Sequence, residues 1–152
     1  MRMTQRLTVT LAPGWIASPD TAADDPPAFL RQASRAPGVL QIHTEAYYRR
    51  GPVPNPTPQQ LIALAAHAAE AEGVIITARS TGPCRLGTYG TVIGSSPGFP
   101  HVQIWALSNG RDFFVLSHAC RSAPEAEELA DAQTIVGMLA TPALKKPWWR
   151  LW

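Results

Sequence analysis

Hydrophobic and polar residues alternate along most of this chain and adopt a 3.6-residue rhythm in two places. Leu7, Val9 and Leu11 alternate with Thr8 and Thr10, which predicts a half-buried strand over Arg6–Ala12, stopped by Pro13-Gly14. Gly38–Tyr48 predicts a second strand, with Leu40, Ile42, Thr44, Ala46 and Tyr48 on one face. Gln41, His43, Glu45 and Tyr47 lie on the other. Val74–Ser80 and Leu86–Gly94 predict two more, the last interrupted by glycines that signal bulges or close backbone contact. The first helical rhythm follows Thr57, an N-cap with Pro58 behind it and Gln60 closing a capping box. Leu61, Leu64, Ala65 and Ala68 form its buried stripe, and Gly73 stops it. The second opens at a Ser122/Glu125 capping box, buries Leu129, Ala132, Val136 and Leu139, and ends at Thr141-Pro142. Within the Ala-, Asp- and Pro-rich stretch 17–37, Asp25 before two prolines predicts a short helix through Phe29 and Leu30.

The stretch His101–Arg121 carries the sharpest pattern. Asn109-Gly110, flanked by aromatic and β-branched runs, predicts a hairpin with a two-residue turn. That register sets Ser108 opposite Arg111, Trp105 opposite Phe114 and His101 opposite His118. One face then carries Val102, Ile104, Ala106, Phe113, Val115, Ser117 and Ala119, almost wholly apolar and small enough to receive a helix. The other is mixed: His101, Gln103, Trp105, Leu107, Asp112, Phe114, Leu116, His118 and Cys120. The predicted order is β-β-α-β-β-β-β-α. It implies an α+β fold, an antiparallel or mixed six-stranded sheet packed by two main helices.

Composition narrows the class. A chain of 152 residues, 45% hydrophobic and 16% charged, forms a single globular domain rather than a disordered segment. A net charge of +2 is too small to imply a nucleic-acid partner, and no apolar run reaches the roughly 20 residues that span a bilayer. The first residues lack the apolar core of a signal peptide, so the expectation is a cytoplasmic protein. Cys84 and Cys120 form neither a disulfide framework nor a metal-ligand motif.

Candidate chemistry is sparse. Gly94-Ser95-Ser96-Pro97-Gly98 matches the spacing of a nucleophile elbow, yet Pro97 has no N–H for an oxyanion hole and a strand follows. It reads as a turn. His101 and His118, opposed on the mixed face, have the residue types for a shared metal with Cys120 diagonal to them, or with His43 or Glu45 from another strand. Two ordinary strand-end histidines are the simpler account, so no metal and no cofactor are expected. The tail alternates Trp148, Trp149 and Trp152 with Lys145, Lys146 and Arg150. It either folds back over Trp105, Phe114 and Leu116, or clasps a partner, or, as a third option, touches an anionic membrane surface.

The strand ending in Pro13-Gly14-Trp15, the GVLQIH strand from Gly38, the Ala/Leu helix, the tryptophan hairpin at Trp105 and the C-terminal helix together resemble the PsbP-like fold group. That group includes the Ran-binding Mog proteins and small bacterial relatives, and the likeness spans residues 6–140. The resemblance implies a bacterial, non-catalytic protein that binds a protein partner, immunity- or chaperone-like; a homodimer through the mixed face is a further possibility. It transfers no functional residue. The sequence nominates Trp105, Phe114, Leu116, His101, His118, Trp148, Trp149 and Trp152 as binding residues, with no catalytic set. The competing expectation is a small-molecule or metal site, or an enzyme, on the His101/His118 face.

Overall fold

The structure, a computed structural model, describes residues 7–19, 26–43, 55–110 and 112–141. Among these residues, seven antiparallel strands form one sheet: β1 (Trp15–Ala17), β2 (Ala28–Arg31), β3 (Val39–His43), β4 (Ile75–Cys84), β5 (Gly87–Ser96), β6 (Phe99–Ser108) and β7 (Phe113–Cys120). Their spatial order is β1-β2-β3-β7-β6-β5-β4. The helices are α1 (Pro58–Ala71) and α2 (Ala126–Gly137). The α+β class holds, with seven strands where the pattern predicted six. None of the helices among the described residues is long and apolar enough to cross a membrane.

The N-terminal third departs from expectation. Thr8 makes only an isolated bridge to Ala140, and the first strand begins where Pro13-Gly14 was expected to end one. Gly14, at φ 84°, turns the chain, so that Trp15 starts β1 and buries its ring. Phe29 and Leu30 lie in strand β2 rather than a helix, because β1 and β3 flank them and satisfy their backbone.

The two faces of β6 and β7 separate as the alternation demands. Val102, Ile104, Ala106 and Val115 pack with Val92 against Leu61, Ala65, Ala68 and Ala69 of α1. Gly90 lets that helix come close: a Cβ there would collide with the backbone of Leu61 and Ile62. On the other face, Trp105, Leu107, Phe114 and Leu116 join Trp15, Leu40 and Ile42 under Ala132, Ile135, Val136 and Leu139 from α2 and the residues just after it. One helix covers each face, so the sheet is the middle of three layers.

Both helix starts are informative. Thr57 caps α1 as expected, its Oγ1 accepting from Gln60 N at 3.2 Å while Gln60 Oε1 accepts from Thr57 N at 2.8 Å. The Ser122/Glu125 capping box does not form, and α2 opens at Ala126 with Glu125 at the cap position and no side-chain cap bond. Arg31 takes the carboxylates instead, 2.9 Å from Glu125 and 2.7 Å from Glu127, with Asp131 at 3.5 Å. Arg31 ties β2 to the start of α2 through these carboxylates, whose charge suits the positive end of the helix.

The hairpin register also differs. Ser108 pairs with Phe113, Trp105 with Leu116 and His101 with Cys120, so four residues form the loop instead of two. Asn109 Oδ1 accepts from Asp112 N at 2.7 Å, and Ser108 Oγ accepts from Gly110 N at 3.0 Å. These side-chain bonds favour the wider turn. The slip is by two residues, so every side chain keeps its predicted face.

Candidate functional site

The expected binding face is interior. Trp105 and Leu116 are fully buried and Phe114 nearly so, beneath α2, and Trp105 donates from Nε1 to Gln133 Oε1 at 3.2 Å. These three side chains serve as core, because the mixed face was apolar enough to receive a second helix. Trp148, Trp149 and Trp152 lie outside the described residues.

Two other arrangements remain. The first is a groove on the opposite side of the sheet. α1 lies over β4, β5 and β6, and no helix among the described residues lies over the same face of β3 and β7. The resulting recess has a volume of about 530 Å³, with Ala68, Val102, Ile104, Val115 and Ala119 as apolar lining. Gln41, His43, Glu72, Ser96 and Ser117 supply polar groups. His43 Nε2 lies 3.1 Å from Ser117 Oγ across the β3–β7 pair. Burial holds the His43 imidazole below its ordinary pKa, and the Glu72 charge opposes that shift without reversing it. His43 is therefore neutral near pH 7, able to donate at one nitrogen and accept at the other.

The second arrangement lies in the α2 layer. His118 and Cys120 are two apart on β7 and point the same way, and Glu128 of α2 comes down onto them. All three are completely buried. His118 Nε2 is 2.8 Å from Glu128 Oε2, and Cys120 Sγ is 3.5 Å from Nε2 and 3.7 Å from Oε2. Gly38 N donates to the same Oε2 at 3.0 Å. His101 stands alongside, its ring centroid 6.0 Å from that of His118. The expected opposition of the two histidines is thus replaced by a diagonal one, with Cys120 directly across from His101.

Burial sets the electrostatics of this cluster. It keeps His118 below its ordinary pKa despite the opposing Glu128 charge and hydrogen bond. It also lowers His101, with the His118 charge adding and the Glu128 charge opposing. The Cys120 thiol is pushed up to about 12, chiefly by burial and then by Glu128. With Oε2 accepting from Gly38 N–H and Cys120 S–H, the neutral His118 ring donates from Nε2. Glu128 Oε1, His118 Nδ1 and His101 Nε2 are buried with no hydrogen-bond partner among the described residues. A protonated thiol is a poor nucleophile, and both partners meet His118 at the same nitrogen. The trio therefore cannot relay a proton as a Cys–His–acid triad does.

Sequence reasoning placed His118 and Cys120 together and missed Glu128. His43 faces the other side of the sheet, and Glu45 is outside the described residues. The missing signal was a carboxyl on the inward stripe of α2, four residues before Ala132 and seven before Ile135. The groove had no sequence signal, since its walls come from α1, β3, β6 and β7. Comparison with protein families and with curated proteins finds no match to this chain.

Proposed function

We propose that this is a non-catalytic binding protein whose ligand occupies the groove between α1 and the β3–β7 pair. The recess of about 530 Å³ carries the reading: it has the size and the mostly apolar lining, with a few convergent polar groups, of a small-molecule pocket. A fitting ligand has an apolar body against Val102, Ile104 and Val115. It also has a hydrogen-bonding end that meets His43 and Ser117. Glu72 at the rim favours a neutral or cationic end over an anionic one. A fragment screen followed by amide NMR tests this. Ring-bearing fragments with a donor group are expected to shift the Val115, Ser117 and Ala119 signals, and Ala119→Trp is expected to suppress the shifts by filling the groove. Fragments that bind elsewhere, or shifts unchanged by Ala119→Trp, would reject the reading.

One observation favours the protein-partner reading that the PsbP-like resemblance implies. β4 is ten residues long and stands last in the sheet, and Ile75 at its start is 72% exposed. An open edge of this length is a template for a strand from a partner or from a second copy.

A further inference from the structure

We propose that His118, Cys120 and Glu128 form a buried site for a divalent transition metal ion of the zinc class. The inference is independent of the groove, which lies on the other face of the sheet.

The donor chemistry comes first. An imidazole nitrogen, a sulfur and a carboxyl oxygen suit zinc, and cobalt can stand in for it. The three ligand atoms lie within 4.8 Å of one another. A tetrahedral zinc ion puts neighbouring N, S and O donors roughly 3.3–3.6 Å apart. The separations here are 3.5 Å for sulfur to nitrogen, 3.7 Å for sulfur to oxygen and 2.8 Å for nitrogen to oxygen. Only the last, now a hydrogen bond, must open, by about half an ångström. His101 stands beside this group rather than in it, its ring centroid 6.0 Å from that of His118, and the residue is partly exposed.

The charge balance points the same way. A divalent ion held by one thiolate, one carboxylate and one neutral imidazole is a cluster of zero net charge, the form that an apolar layer tolerates. Binding is balanced by one proton: the Cys120 S–H is lost to solvent, while the His118 proton moves from Nε2 to Nδ1 and the ring stays neutral. No electron is transferred.

The surroundings are shaped for this occupant. Gly38 passes so close that a Cβ there would lie 2.8 Å from His118 Nε2 and collide with Cys120 Sγ, so any other residue would intrude on the donor atoms. The Gly38 N–H also holds Glu128 Oε2 in place, as the backbone and side-chain partners of metal ligands commonly do. Trp15 closes another side, its ring centroid 6.4 Å from that of His118.

The test uses the full chain, stripped with chelator and titrated with cobalt(II). The expected result is one ion per chain, visible d–d bands of a tetrahedral site and a near-ultraviolet thiolate-to-cobalt band. Zinc should then displace the cobalt and raise the melting temperature. Cys84→Ser should keep the thiolate band, and Cys120→Ser should lose it. His101→Asn leaves the trio intact, so it should keep the thiolate band. A folded wild-type protein with no thiolate band and no thermal shift at a twofold excess of metal overturns the proposal. So does a band that disappears with Cys84→Ser. If Cys120→Ser fails to fold, the wild-type spectrum together with Cys84→Ser still decides.

Discussion

At the scale of the residue, the chain spends stability on a polar cluster where apolar side chains would serve for packing alone. Glu128 Oε2 gathers three donors while Oε1 has no partner among the described residues, and three histidines are held neutral by burial. The consequence is a stability profile with two falling limbs in the metal-free protein. Below about pH 6.5 the unfolded histidines take up protons that His43, His101 and His118 refuse in the fold, so stability falls as pH drops. Above pH 9.0 the unfolded Cys120 thiol ionises while the folded one keeps its proton up to about 12, so stability falls again as pH rises. Denaturant melts in chelator across pH 5–11 should show a plateau between these limits, and Cys120→Ala should flatten the alkaline limb. A limb unchanged by that substitution would show that other groups cause it. The sequence revealed part of this cluster. His118 and Cys120 share a face by simple alternation, whereas Glu128 joins them from ten residues away in sequence, across a helix–sheet contact that no spacing rule encodes.

Among the elements, β5 shows how a weak sequence signal becomes a specific contact. Its glycines marked bulges or close approach, and both occur. Gly90 lies directly under the backbone of α1, and the β5–β6 register shifts between Gly94 and Ser96. Gly90→Ala should therefore lift α1, costing about 2 kcal/mol and lowering Tm on the order of 4–8 °C. The same shift should widen the groove that α1 borders, which the Val115 and Ala119 amide signals would report. A melting temperature within a degree of wild type would show that α1 tolerates the methyl group. The strands and helices that announced themselves most clearly were those with local chemistry of their own, such as the capping box at Thr57. β1 and β2 did not, because strands of three and four residues draw their stability from pairing with distant neighbours. The hairpin lies between these cases: its faces were legible, and its loop was not, because side-chain bonds from Ser108 and Asn109 override the Asn-Gly preference.

In the molecule as a whole, the groove beside α1 and the outer edge of β4 stand clear of the three layers among the described residues. They predict different behaviour in solution. If the β4 edge pairs with a second copy, light scattering should report a dimer at micromolar concentration, and Ile75→Lys should return it to monomer by placing a charge on that edge. A monomer across that range would leave the groove as the better-supported site. By itself the sequence determined the α+β class, the position of α1 and the division of the hairpin into two faces. Each follows from alternation, helical rhythm or a cap, which are properties of neighbouring residues. Only the tertiary structure decided what covers each face: α2 buries Trp105, Phe114 and Leu116, Glu128 completes a cluster with His118 and Cys120, and α1 stops short of β3 and β7. Those outcomes depend on where two helices settle on one sheet. Burial of large side chains sets that position, and it sums over contacts between residues far apart in the chain.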